Sequence, residues 1–282
     1  MHGSSDIVIV GGGVMGSATA FFLLSDPGFS GRVTVVEKDP TYRFASSALS
    51  ASSIRQQFST PLNIQLSLFG IGFLRDIGRH LALPGETLTI GLREPGYLIM
   101  ATAEHEALLR RNVELQRAHG ADTTVLSPAD MKQRFPWIET DGVAAAGFGL
   151  TGEGSFDGPA LMQAFRRKAA SIGARYVHGE VVAVEKAGPR VAAVRLADGT
   201  RIACGAMVLA AGPSSGAVAA LAPDRGTLHV VHDEIPGLLF AGTHEFHADA
   251  PTIASVQLGR RLFGRIEQRA GQWWLFDVRL AQ

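Results

Sequence analysis

The spacing of hydrophobic positions changes along the chain, and each change marks an element. Ile7 to Val10 and Val33 to Val36 are short, unbroken β-branched runs, the pattern of parallel strands buried on both faces. Between them, Val14 to Leu24 predicts a helix that stops before Asp26-Pro27-Gly28. Thr60-Pro61 supplies an N-cap with proline at N1, and Leu62, Leu66, Phe69, Phe73 and Ile77 predict one buried helical face after it. Tyr97 to Ala101 reads as a strand, Ala103 to His119 as a polar helix closed by Gly120, and Ser127-Pro128 as the start of a short helix before Phe135-Pro136. Asp157 to Ile172 predicts a further helix with Leu161, Phe165, Ala169 and Ile172 on its inner face. Short strands are then expected at Tyr176-Val177, Val181 to Val184, Val191 to Leu196, Ile202 to Cys204 and Ala206 to Ala210, with turns at Gly188-Pro189 and Asp198-Gly199. Pro251 to Glu267 reads as a last helix.

A strand, helix and strand at the start with more strands later predict the α/β class: a Rossmann-like nucleotide-binding domain carrying an inserted smaller α+β lobe. Segments 1–60 and 140–282 are expected to form the first and 61–139 the second, a substrate-side lobe. Whether 223–282 is a native closing segment or a truncated tail stays open.

Composition narrows the partners. With 46% hydrophobic and 18% charged residues in 282, the chain has the makeup of a globular protein. Lys+Arg 26 balance Asp+Glu 26, so neither nucleic acid nor an anionic membrane surface is expected as the main partner. The uncharged stretch from Ile7 to Leu24 holds Gly11, Gly12, Gly13 and Gly16 and follows Asp6, unlike a signal peptide or a membrane span, so no span is expected. The single cysteine, Cys204, allows no internal disulfide, which fits a cytoplasmic location, and reads as a small core residue. His229, His232, His244 and His247 cluster late but match no zinc spacing, and no metal is expected.

The chemistry lies in the first βαβ unit. Gly11-Gly12-Gly13-Val14-Met15-Gly16 fits G-x-G-x-x-G after a strand. Gly11 allows the tight turn, Gly13 lets the backbone approach a pyrophosphate, and Gly16 permits close packing of helix on strand. The helix starting at Val14 and Met15 would aim its free N–H groups at the phosphates. Glu37, roughly 20 residues further on, ends the second strand, where its carboxylate can accept both ribose hydroxyls of an adenosine and would repel a 2′-phosphate. Lys38 follows it. These features serve FAD and NAD alike, so an NAD-dependent dehydrogenase remains open at this point. From Asp39 to Phe58 runs a small-residue loop with Ser46, Ser47 and Ser50, leading to Arg55 and Gln56, suited to wrapping an extended ligand.

Over longer blocks the chain resembles the FAD-dependent oxidoreductases of the glycine/D-amino-acid oxidase superfamily. Within it, the chain resembles the branch that contains sarcosine-oxidase-like bacterial enzymes and the flavoprotein assembly factor of mitochondrial complex I. The blocks are VVEKDPTYRFASSALS, IRQQFSTPLNIQLSLFGIGFLR, REPGYLIMA, LSPADMKQRFPWI, GEGSFDGPALMQAFRRKA, and the stretch from GEVVAVE to AAGPSSG. The resemblance implies a bound FAD, with Ala45 to Ser50 along the pyrophosphate and ribityl chain, Arg55 and Gln56 near the flavin, and the Val181 backbone at the adenine. Ala211 and Gly212 would let the cofactor lie close. Ile235 to Gly242 is similar to the strand and glycine that close over the flavin, although Thr243 departs from the family there. Ser155 and Ser214 stand where the family often has Trp.

The implied reaction is oxidation of a C–N bond in a small amino acid or N-methylated amine by hydride transfer to flavin. Arg55 is the candidate catalytic residue, because a planar guanidinium can pair a substrate carboxylate bidentately or orient the flavin. The alternatives are a catalytically weak flavoprotein acting as a binding or assembly factor, and the NAD-dependent dehydrogenase.

Overall fold

The computed structural model describes residues 4–188 and 190–219, and the backbone of strands at 227–232, 242–247, 262–269 and 272–280. In chain order, β1 (Ser4–Val10), α1 (Val14–Ser25) and β2 (Val33–Glu37) come first. Next are α2 (Ser46–Leu49), β3 (Ser53–Ile54), α3 (Pro61–Arg75), α4 (Ile77–Leu81), β4 (Leu98–Ala101) and α5 (Glu106–Ala118). They are followed by β5 (Thr123–Leu126), α6 (Pro128–Arg134), β6 (Ala145–Gly149), β7 (Gly154–Ser155) and α7 (Gly158–Ser171). Then come β8 (Arg175–His178), β9 (Val181–Ala187), β10 (Arg190–Leu196), β11 (Arg201–Leu209) and α8 (Ser215–Ala219). Strands β12 (Thr227–His232), β13 (Gly242–His247), β14 (Leu262–Arg269) and β15 (Gln272–Leu280) complete the chain.

Two compact units result: residues 1–46 with 165–282, and residues 47–164. The first holds a six-stranded sheet in the order β8-β2-β1-β11-β10-β9. Strands β8, β2, β1 and β11 run parallel, and β11, β10 and β9 form an antiparallel meander. The β-branched runs are parallel strands as expected: Val8, Ile9 and Val35 are fully buried, and Val33 and Val36 nearly so. Val8, Val10 and Val36 share an apolar cluster with Val181, Val194, Leu196, Ile202 and Cys204, so the cysteine is a core residue. Burial raises its thiol pKa, which favours the inert form. The stretches expected as two strands around Gly205 are one continuous β11. The same unit contains a second sheet, ordered β12-β13-β15-β14.

The second unit holds the antiparallel sheet β4-β6-β5. Its small core of Ala101, Leu109, Val113 and Ala145 takes one face of α5. Ser127 and Asp130 form a capping box at α6, in which the Ser127 hydroxyl accepts from the Asp130 amide.

Two further sequence expectations fail. On α3 the inner residues are Ile64, Ile71 and Leu74, while Leu62, Leu66 and Phe69 are 65%, 60% and 63% exposed. Apolar residues circle most of this helix, so periodicity alone offers two stripes and packing selects the other one. Of the expected helix from Pro251 to Glu267, residues 251–261 lie outside the described residues and Leu262 onward is strand β14, paired antiparallel with β15. Phe263, Ile266 and the apolar run Trp273 to Phe276 suit a ladder as well as a helix, and the cross-strand partner decides. Among the described residues no helix is long and apolar enough to cross a membrane.

Candidate functional site

In the first unit, parallel strands flank β1 on both sides, and the chain leaves between them in a tight turn. The Gly11 amide donates to the Val36 carbonyl at 2.8 Å, and the Ala210 amide to the Val10 carbonyl at 2.8 Å. Gly11 has φ +101°, and a Cβ there would overlap the Ala210 carbonyl oxygen. A Cβ on Gly16 would overlap the carbonyl oxygen of Gly11, so α1 can approach the turn only with glycine at that position. Gly13 is the N-cap of α1 with φ −60° and ψ −171°, a conformation open to any residue. Val14 is half-buried and Met15 is 71% exposed, and the first N–H groups of the helix have no acceptor within it.

Glu37 at the end of β2 meets this turn. Its Oε2 accepts from the Gly12 amide at 2.7 Å and its Oε1 from the Asp39 amide at 2.8 Å. The side chain is half-buried, and each oxygen keeps lone-pair capacity. The Gly12 carbonyl accepts from Ser17 Oγ at 2.7 Å, and Ser17 Oγ accepts from the Tyr176 hydroxyl at 3.0 Å. The sequence reading gave Gly12 no role of its own within the glycine motif and did not select Ser17, Tyr42, Arg166 or Tyr176; α7 and β8 carry the last two to this corner only in the folded chain. The local signal at Tyr42 was weak, because Phe44 stands two residues later in the same loop.

The other expected residues of this unit are placed as follows. Val181 opens β9 and is buried with Val36 in the cluster against which Ala211 packs. Gly212 has φ +56° and lies beside Ser46, whose Oγ would be 3.7 Å from a Cβ there. Lys38 is exposed and its Nζ donates to Ser214 Oγ at 3.4 Å. Gly242 begins β13, opposite His232, and residues 235–241 of the expected closing stretch lie outside the described residues.

In the second unit, Ser50 is exposed and its Oγ accepts from the Ser52 amide at 3.0 Å. Ser47 Oγ is buried and has no hydrogen-bond partner among the described residues. Arg55 is exposed, with its guanidinium 4.9 Å from the centre of the Phe58 ring. Gln56 is 3% exposed and its Oε1 has no partner among the described residues. The loop's organiser is Glu153, another residue that sequence reasoning missed. It is fully buried and accepts from the Gln56 amide at 2.6 Å, the Gln57 amide at 3.0 Å, Gln57 Nε2 at 2.8 Å and the Tyr97 amide at 3.2 Å.

A glycine turn at a helix start, tied to a carboxylate at the next strand's end, is a dinucleotide-type arrangement, and comparison with known proteins states which family carries it. The family of FAD-dependent oxidoreductases known as DAO matches residues 6–266. The chain belongs to this family. A Xenopus laevis relative, "FAD-dependent oxidoreductase domain-containing protein 1", is 49% identical over 180 residues, which is 63% of this chain and 36% of that protein. The Drosophila melanogaster homolog is 37% identical over 238 residues, 77% of this chain and 46% of that protein. This DAO-family chain therefore spans less than half the length of these curated relatives. The crystal structure of glycine oxidase from Geobacillus kaustophilus superimposes with a TM-score of 0.66 at 26% identity, covering 80% of this chain and 60% of that one.

Proposed function

We propose that the chain binds FAD at the Gly11–Gly16 turn and oxidises a carbon–nitrogen bond of a small amino acid or N-methylated amine. The observation that carries the reading is the 2.7 Å bond from the Gly12 amide to Glu37, beside a turn that excludes side chains at Gly11 and Gly16. The residues present suit the group. Glu37 retains acceptor capacity for the hydroxyls of the adenosine ribose, while the amides of Val14, Met15 and Gly16 face outward from a helix start, where the dipole favours a pyrophosphate. Gly13 leaves that approach free of a side chain. Val181, Ala211 and Gly212 are proposed for the adenine side, and Lys38, Ser46 and Gly242 for the margin.

Ser47, Ser50, Arg55 and Gln56 are proposed for the flavin end on the strength of the sequence resemblance. When bound, the flavin supplies a two-electron acceptor for the C–H bond beside nitrogen, and the resulting imine hydrolyses in water. Arg55 orients a substrate carboxylate through two parallel N–H donors, which places that C–H bond for transfer. The likeness to glycine oxidase supports an amino acid as substrate class.

The purified protein is expected to be yellow and to release FAD on denaturation. Anaerobic mixing with glycine, sarcosine, dimethylglycine and other amino acids should bleach the flavin for at least one of them. A colourless protein that takes up NAD instead overturns the cofactor. Flavin that dithionite bleaches and none of these amines reduces overturns the substrate class.

A further inference from the structure

The guanidinium of Arg166, on α7, lies between two tyrosine rings, 5.8 Å from the centre of Tyr42 and 5.3 Å from that of Tyr176. Both distances fall within cation–π range of about 6 Å. Its Nε is buried without a hydrogen-bond partner among the described residues, while the guanidinium also hydrogen-bonds the Tyr42 side chain.

Each tyrosine reaches the same glycine by a different route. A Cβ on Gly12 would lie 3.0 Å from the Tyr42 hydroxyl and 3.3 Å from Glu37 Cβ, so Tyr42 closes the back of the Gly12–Glu37 contact. The Tyr176 hydroxyl donates to Ser17 Oγ, which donates to the Gly12 carbonyl. Gly12 is therefore fixed at its amide by Glu37, at its carbonyl by the Ser17 relay and on its flank by Tyr42. Tyr42 is 3% exposed and adopts φ +56°, which is uncommon for a non-glycine residue. Asp39 holds the loop before it, with Oδ1 accepting from the Thr41 amide at 3.0 Å and from its hydroxyl at 2.5 Å. Burial raises the pKa of both tyrosines, and the Arg166 charge opposes that shift.

We propose that Tyr42, Arg166 and Tyr176 form a positioning stack that holds the Gly12–Glu37 contact in its adenosine-accepting geometry before any ligand arrives. Tyr42 meets the turn at Gly12 and Tyr176 reaches it through Ser17, so the stack acts through Gly12 and Glu37. A clamp fixed in advance loses less conformational freedom on binding, and the advantage applies only to ligands that carry an adenosine. The inference rests on the FAD reading above, since it assigns Glu37 to the adenosine.

The test is calorimetric titration of the flavin-free protein with ADP, FAD and FMN. Tyr176→Phe removes the relay's first donor and should weaken ADP and FAD by about three- to tenfold, the net worth of one hydrogen bond. Arg166→Met removes the cation between the rings and should weaken both by about tenfold, and Arg166→Lys should restore part of the loss. FMN, which lacks adenosine, should bind every variant as it binds the parent. Equal losses for ADP and FMN, or a lowered Tm with unchanged ADP affinity, overturn the stack as a positioning device. A parent protein that binds neither ADP nor FAD overturns the FAD reading itself, and the stack with it.

Discussion

Glu37 and Glu153 each gather backbone amides at a place where a loop must be held, yet they serve their units in opposite ways. Glu37 accepts two amides, stays half-buried and keeps acceptor capacity on its open side. Glu153 accepts four donors and has no exposed surface, so its hydrogen bonding is spent inside the second unit. A carboxylate that can receive a ligand is one the fold leaves incompletely satisfied. A carboxylate that is fully satisfied marks architecture.

The largest expected effect breaks the structural member of the pair. Glu153→Ala strands four donors, two of them the amides next to Arg55, and should lower the free energy of unfolding in urea by on the order of 3–5 kcal/mol. A loss below about 1 kcal/mol would contradict its role as organiser. Glu37→Ala should act mainly on binding. ADP affinity should fall by the equivalent of about 1.5–3 kcal/mol for each charge-assisted bond lost, whereas stability should change by about 1 kcal/mol. If the urea midpoint drops for Glu37→Ala as far as for Glu153→Ala, the distinction between the two carboxylates collapses.

The glycine turn sharpens the contrast at a smaller scale. Gly16→Ala drives a methyl into a carbonyl oxygen and should cost about 1–3 kcal/mol of stability with or without ligand. Gly13→Val should leave the fold within about 0.5 kcal/mol of the parent and abolish FAD uptake. Gly13→Val protein that still purifies yellow at full occupancy would remove the pyrophosphate from this turn.

The smallest effect comes from the pair Arg75–Glu94, half exposed in the second unit. Hydrogen bonding from Arg75 holds the Glu94 carboxyl below its ordinary pKa, and the Gly152 amide adds to it at 2.7 Å. A depressed carboxyl contributes stability above its unfolded pKa and loses it as pH falls through the folded value. Arg75→Ala should therefore cost less than about 1 kcal/mol at neutral pH, after screening by solvent, and the difference should shrink in acid. A difference that grows as pH falls would reverse the assignment.

What the sequence disclosed follows the range of the interactions. Strand β1, helix α1 and Glu37 lie within one short segment, where glycine positions, β-branched runs and a charged terminus carry local signals. The helix boundaries at Pro61, Pro128 and Gly120 were visible for the same reason. The face that α3 buries was not, because Leu62, Leu66 and Phe69 compete with Ile64, Ile71 and Leu74 and only the surrounding unit decides. Strand β14 lay hidden because its partner β15 is what makes Leu262 to Arg269 a ladder. Glu153 and Arg166 were silent as well. The first meets Gln56 across 97 positions, and the second meets Tyr42 across a comparable distance, with no periodicity linking them.

The turn between β1 and α1 also divides its glycines by what would forbid a replacement. At Gly11 and Gly16 the veto comes from the chain's own carbonyl oxygens, whereas at Gly12 a Cβ would crowd Tyr42, Glu37 and Val35 at 3.0–3.3 Å. At Gly13 the backbone dihedrals are open to any residue, so conformation alone does not require glycine there. In a library of variants selected only for folding, positions 11 and 16 should stay glycine while position 13 drifts. In the same library selected for flavin retention, position 13 should become fixed. Gly11, Gly13 and Gly16 of one turn thus record two separate selective pressures, and sequencing the survivors of each screen would read them apart.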